Sequence, residues 1–399
     1  MTTIRMMHGC TLLDRTVEPA PLGRKRTSPV FSGRERLTVA GKITQAALHR
    51  PTGFFLERRL WQNRTIKASY SPISCGIHAP LESHAPERQG LMNLAQELEQ
   101  WGPEALQRQS APPSPEKARA YCHALATSHY ENFIVVGLFT PPLLRPAFEA
   151  IYGYCRWADD LGDETGDRAA SETLLAWWLS QLDDLYRDNA PPPRHPVFVA
   201  LAPVIERYAI PRQPFADLVS AFVQDQHVVR YETREQLVDY CRRSADPVGE
   251  LVLRLFGAAT PENLAMSASI CTGLQLANFW QDVGRDLAIG RIYVPQTAMT
   301  EHGLTEADFR IAPASNAFRR MLAGEVAWTR TLFDQGKPLT QALPGRFGLA
   351  LRLFHAGGVA TLDAIEAADF DVLTRRPRIG KMLRVRLMAR ALFDSLRGR

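Results

Sequence analysis

From about residue 90 onward the apolar positions recur three and four apart, and these stretches are separated by Pro, Gly or Asn. This pattern predicts helices over residues 91–108, 115–128, 171–189, 195–208, 214–230, 234–256 and 261–288. Two more are predicted over residues 305–335, with a break near Pro313, and from residue 345 toward the C-terminus. Ser114 and Pro115 supply an N-cap and a first helical residue for one of them, and Pro141-Pro142 opens another. No stretch alternates with period two, no glycine-rich loop suited to phosphate is present, and no internal repeat recurs. The expected fold is all-α.

Two of these helices interrupt their apolar pattern in the same way. Residues 275–286 read Gln-Leu-Ala-Asn-Phe-Trp-Gln-Asp-Val-Gly-Arg-Asp, and residues four apart share a helix face. Asn278, Asp282 and Asp286 therefore form one polar column, with Gln275 a turn earlier. Upstream, Asp159 and Asp163 are four apart, Arg156 stands one turn before Asp159, and Tyr152 one turn before Arg156. A single acidic pair at this spacing is common on a solvated face. Two columns set in apolar helix point to a shared task, because buried charge must titrate or find a counter-ion. Oxygen ligands that leave room for water and phosphate suit Mg²⁺. Facing each other across a bundle, the columns can hold Mg²⁺ ions that bridge a diphosphate.

Composition changes this picture mainly at the ends. The 399 residues are 45% hydrophobic and 22% charged, which is ample for a large core. Six cysteines without paired spacing indicate neither a zinc site nor a disulfide framework, and fit a reducing, cytoplasmic setting. No apolar run has the length of a membrane span. Residues 1–85 carry a net charge of +8 and the remainder −3. That basic leader shows no sustained period and reads as disordered. Residues 86–114 read as a linker with one candidate helix, and residues 115–399 as the catalytic domain.

The residues also carry a resemblance. Arg156-x-x-Asp159-Asp160-x-x-Asp163-Glu164 is the first motif, and Tyr240-Cys241 continuing to Val248-Gly249 is the second. The third is the Gln275 to Asp286 column followed by Gly290-Arg-Ile-Tyr-Val-Pro295. Together they resemble the squalene/phytoene synthase family over roughly residues 115–390. His129-Tyr130-Glu131-Asn132-Phe133 is similar to the bacterial hopanoid-pathway branch, which converts presqualene diphosphate to hydroxysqualene. The resemblance implies an isoprenoid-synthase bundle around a central apolar cavity. It implies Mg²⁺ held by Asp159, Asp163, Asn278, Asp282 and Asp286, and a prenyl diphosphate contacted by Arg156, Gln275, Arg285 and Arg291. Phe133, Tyr152, Tyr240 and Tyr293 would stand near the carbocation left when diphosphate departs, with Tyr240 and Tyr293 also placed to bond phosphate or relay a proton.

One stretch departs from that family. Many relatives are apolar after Tyr240-Cys241, whereas this chain has Arg242-Arg243-Ser244-Ala245-Asp246-Pro247. Proline kinks or breaks a helix, so polar groups gather at a distortion. They either form a surface Arg–Asp cluster or admit a water that captures the cation. With no dinucleotide fingerprint in the chain, NADPH is not expected. Residues 375–399 hold nine Lys and Arg against one Asp, interleaved with apolar residues. Such a segment either packs on the bundle or lies on an anionic membrane surface at the inner face of the cytoplasmic membrane; no nucleic-acid module accompanies it. The expected enzyme is a hydroxysqualene synthase. The alternatives are a synthase that condenses two prenyl diphosphates to presqualene diphosphate, squalene or phytoene, and a non-catalytic relative serving in assembly.

Overall fold

Helix starts follow local capping chemistry. Thr260 accepts a hydrogen bond from the Asn263 amide with Pro261 behind it, Thr233 accepts from Gln236, Ser315 from Phe318 and Asp167 from Ala170. The structure is a computed structural model that describes residues 94–128, 140–380 and isolated positions between 382 and 389. The basic leader over residues 1–85 and the 129–133 motif with Phe133 lie outside the described residues.

Among the described residues every regular element is helical. In order they are α1 (Leu94–Trp101), α2 (Pro103–Arg108), α3 (Pro115–Ser128), α4 (Arg145–Asp163), α5 (Arg168–Leu185), α6 (Pro196–Tyr208) and α7 (Gln213–Asp225). Then follow α8 (Arg234–Ser244), α9 (Asp246–Leu255), α10 (Pro261–Ala288), α11 (Gln296–Glu301), a 3₁₀ turn (Asp308–Arg310), α12 (Asn316–Gly336), α13 (Leu339–Ala342) and α14 (Gly345–Ala367). None is long and apolar enough to cross a membrane.

Two helices organise the packing. α10 is flanked by α8, α9, α12 and α14, and α4 by α3, α5, α6, α7 and α9. α9 is therefore a neighbour shared by the helices that carry the two polar columns. α4 is buried along its length from Ala147 to Gly162, and α10 along most of Ser267 to Asp286. An aromatic box holds α4 in place. Trp157 stacks on Trp178 at 5.3 Å, and both meet the His195 ring edge-on. Burial in that box pushes the His195 imidazole well below its ordinary value, so it stays neutral.

The fold corrects three expectations. The single helix predicted over residues 234–256 is two, α8 and α9, because Pro247 cannot donate within a helix but fits the first turn of a new one. Residues 94–108, expected within a linker, form two helices that join the body. Leu94, Ala105 and Leu106 are buried, Tyr121 donates its hydroxyl hydrogen bond to Glu97 Oε2 at 2.7 Å, and Arg194 reaches the Leu106 and Gln109 carbonyls. The helix predicted from residue 345 toward the C-terminus is interrupted: it ends at Ala367, Asp369 and Phe370 have positive φ, residues 371–380 are not helical, and the described positions between 382 and 389 are helical again.

Candidate active site

The first column balances its charge within α4. The Arg156 guanidinium is buried and donates from Nε to Asp160 Oδ2 at 2.9 Å, while Nη2 contacts the other oxygen of Asp160. Its Nη1 lies 3.6 Å from Asp159 Oδ2, and Nη2 lies 3.5 Å from Glu164 Oε1. Burial pushes the Asp160 carboxyl up, and the Arg156 guanidinium on both of its oxygens pulls it back down. Asp159 and Tyr152 are also buried. Asp163, expected to close the column, is exposed in the last turn of α4.

On α10, Gln275, Asn278, Asp282 and Asp286 are all buried. The counter-ion of Asp282 comes from far along the chain. Arg376 donates from Nε to Asp282 Oδ1 at 2.6 Å and from Nη2 to Oδ2 at 3.1 Å and to Gln281 Oε1 at 2.6 Å. Gln281 in turn donates to the Pro377 carbonyl at 2.8 Å, so the segment after α14 is strapped across α10. Arg285 is exposed and sits 3.7 Å from Asp282.

The tyrosines form a third group. The chain after α10 runs beside residues 229–231 through the Ile292 amide to Val229 and the Gln296 amide to Tyr231. This pairing stacks Tyr293 on Phe279 at 3.7 Å and sets it 5.8 Å from Tyr231 and 6.2 Å from Tyr240. Tyr240 donates to Asp225 Oδ2 at 3.0 Å. Arg291 lies 3.6 Å from the same carboxylate and donates to the Tyr293 hydroxyl at 3.3 Å and to the Asp225 carbonyl at 3.1 Å. The structure thus joins Tyr240, Tyr293 and Arg291 through Asp225, a residue the sequence pattern does not mark.

At the break between α8 and α9, Arg243 and Asp246 part company. Arg243 bonds outward to Asp239 at 2.7 Å and to Ser220 at 3.3 Å. Asp246 instead faces α10 and accepts from Thr272 Oγ1 at 2.9 Å. The surface Arg–Asp cluster is thereby excluded for this pair.

The family model for squalene/phytoene synthase matches residues 96–382. The chain belongs to the squalene/phytoene synthase family. A chloroplastic phytoene synthase from Narcissus pseudonarcissus is 30% identical over 286 residues, which are 69% of this chain and 66% of that protein. One from Zea mays is 29% identical over 65% of this chain and 64% of its own length. The chain thus spans just under two thirds of these plant synthases. The crystal structure of squalene synthase HpnC from Alicyclobacillus acidocaldarius is 42% identical, covers 66% of this chain and 98% of its own, and superposes with a TM-score of 0.60. A dehydrosqualene synthase in complex with ligand superposes at 0.62 with 22% identity, over 71% of this chain and 98% of its own, and so shares the fold. These all-α neighbours bear out the isoprenoid-synthase bundle.

Among the described residues no three His, Cys, Asp or Glu side chains converge as they would around an ion. The buried donors that do line the columns are all oxygens, which is the set that suits Mg²⁺. In the arrangement seen here arginines hold two of them. Asp160, Asp225, Thr272, Gln281 and Arg376 join the site beyond the residues read from the sequence. Thr272 was within reach, because it extends the α10 column one turn before Gln275.

Proposed function

We propose that this protein ionises presqualene diphosphate and captures the resulting cation with water, giving hydroxysqualene and diphosphate. The similarity to squalene synthase HpnC, which spans nearly that whole protein, supports C30 chemistry, and the resemblance of residues 129–133 to the hopanoid-pathway branch points to the alcohol. The inward-facing polar break at Asp246 supports water as the quenching agent.

Asp159, Asn278, Asp282 and Asp286 would hold Mg²⁺, with Asp163 at the exposed end of its column. Mg²⁺ bound there supplies Lewis-acid neutralisation of the departing diphosphate. Arg156 and Arg376 balance the carboxylates beforehand and offer forked donors to phosphate oxygens. Gln275, Arg285 and Arg291 supply further contacts to the diphosphate. Phe279, Tyr240 and Tyr293 present ring faces that favour a nearby cation. The Asp225 carboxylate fixes the Tyr240 hydroxyl, orienting it for a phosphate contact or proton transfer.

A synthase that joins two prenyl diphosphates is the second reading, favoured by the similarity to phytoene synthases. A non-catalytic assembly role is disfavoured by columns that keep their buried acids. Incubation with farnesyl, geranylgeranyl or presqualene diphosphate, each with and without NADPH, decides among them by mass spectrometry of the products. Hydroxysqualene from presqualene diphosphate and Mg²⁺ alone is expected. Squalene formed only with NADPH moves the assignment to a reductive synthase. So apolar a product favours work at the inner face of the cytoplasmic membrane, with the exposed Arg375, Arg378 and Arg386 toward anionic lipid.

A further inference from the structure

The break between α8 and α9 places a carboxylate in the first turn of α9, where it complements the helix N-terminus, and turns it toward α10. Asp246 is the first residue of α9 and bonds to Thr272 on α10 rather than to an arginine. The close contact of the two helices sets this register. A Cβ on Gly249, one turn after Asp246, would stand 2.3 Å from Ser267 Oγ and 2.7 Å from Cys271 Sγ, so only glycine lets α9 lie this near to α10. The ionisable and polar groups that interact with Asp246 are Cys241 and Arg242 from α8 and Cys271 and Thr272 from α10. Burial pushes the Cys271 thiol up to about 12 and the Cys241 thiol well up, so neither contributes charge at neutral pH. Arg242 is exposed and pulls on Asp246 only weakly against the effect of burial, which lifts the carboxyl to about 7.

Asp246 is deep, yet part of its surface stays accessible to water. A second polar group stands at the same break: the Ser244 hydroxyl is fully buried and, among the described residues, makes no hydrogen bond. Buried polar groups left open in this way are where ordered waters reside. Thr272 lies six residues before Asn278 on an unbroken helix, so the pair sits about 9 Å along the axis from the diphosphate end of the column. The cation forms on the carbon that carried the diphosphate, and a general base acts at about 3 Å or through one water, so the pair would work beside that carbon rather than at the diphosphate itself.

We propose that Asp246 and Thr272 hold the water that captures the carbocation and that Asp246 takes its proton. This rests on the hydroxysqualene reading above. A lone pair of the water oxygen forms the C–O bond, one O–H bond breaks, and its proton passes to the Asp246 carboxylate, which returns it to solvent as the product leaves. The sum is prenyl diphosphate plus water giving alcohol plus diphosphate. Without a placed base the cation is left to lose a proton of its own and form a hydrocarbon.

The test measures the alcohol as a share of all organic product, per diphosphate released, for the full chain with presqualene diphosphate and Mg²⁺ in ¹⁸O-labelled water. In Asp246→Asn and Asp246→Ala the alcohol share is expected to fall at least tenfold with hydrocarbon rising in its place. Thr272→Val, nearly isosteric, should lower it several-fold and keeps the test open if the Asp246 variants fold poorly. The wild-type share should rise between pH 6 and 8, and that slope should vanish in Asp246→Asn. An unchanged share in the folded variants, with only the melting temperature altered, makes the pair a structural tie and overturns the proposal. A wild type that makes no alcohol under any of these conditions overturns the hydroxysqualene reading and this inference together.

Discussion

The Arg376 guanidinium forks onto the Asp282 carboxylate from 94 residues away, with contacts of 2.6 and 3.1 Å, and closes the face of α10 that a diphosphate site would use. Asp282 is 5% exposed, so its charge needs this partner. Arg376→Ala is expected to cost about 1–3 kcal/mol at neutral pH, less than a fully buried pair because Arg376 keeps some exposure. It should also make Mg²⁺ alone a better stabiliser, since the ion no longer competes with the guanidinium. Thermal unfolding with and without millimolar Mg²⁺ checks both; an equal Mg²⁺ shift in wild type and variant refutes the competition.

Asp159→Ala and Asp282→Ala should each lower diphosphate release by about a thousandfold or more, the scale on which preorganised electrostatic groups act. Unfolding should stay cooperative, because α4 and α10 are held by apolar contacts along their whole length. Activity within a few-fold of wild type at saturating Mg²⁺ would remove these residues from the site.

Asp246 makes stability depend on pH with a definite sign. Its ordinary value is 3.8 and burial raises it to about 7, so the folded state keeps a proton that the unfolded chain gives up. The stabilisation is fully present below about pH 4 and is lost as pH rises toward 7, by up to roughly 1.4 kcal/mol per unit. Asp246→Asn should flatten this slope and melt higher than wild type at pH 8. Parallel melting curves from pH 5 to 8 would contradict the raised value.

Gly336 lets α12 approach α10 at the backbone. A Cβ there would stand 2.4 Å from an Ile270 side-chain carbon and 2.8 Å from the Met266 carbonyl oxygen, which cannot rotate away. Gly336→Ala is expected to destabilise by about 1–3 kcal/mol, as overpacking does. Chemical denaturation measures it, and a variant as stable as wild type shows that the helices part easily.

Local chemistry was legible in the sequence and long-range pairing was not. The 261–288 helix was readable to the residue, because Thr260, Pro261 and the 3.6-residue period are all local signals. Its column was readable for the same reason. Pro247 likewise announced a break, but the choice of Thr272 over Arg243 as the partner of Asp246 depends on how closely α9 meets α10 at Gly249. Arg376 carried no spacing signal, since its partner lies on another helix far back in the chain. Asp225 was hidden similarly: the tyrosine it serves follows 15 residues later, after a turn that no periodicity describes. The short helices α11 and α13 span six and four residues, too few to display a period.

Tyr121 has a consequence for anyone preparing smaller pieces of this protein. Its hydroxyl donates to Glu97 on α1 and accepts from the Trp157 indole on α4 at 2.9 Å, bolting the first described helix to the helix of the Arg156 cluster. A fragment begun at residue 115, where the sequence pattern suggests the body starts, would leave that hydroxyl half-satisfied and strip Trp101 from the edge of the aromatic box. The shortest autonomous fragment therefore begins ahead of Leu94, and its recombinant yield should fall sharply once Glu97 is cut away.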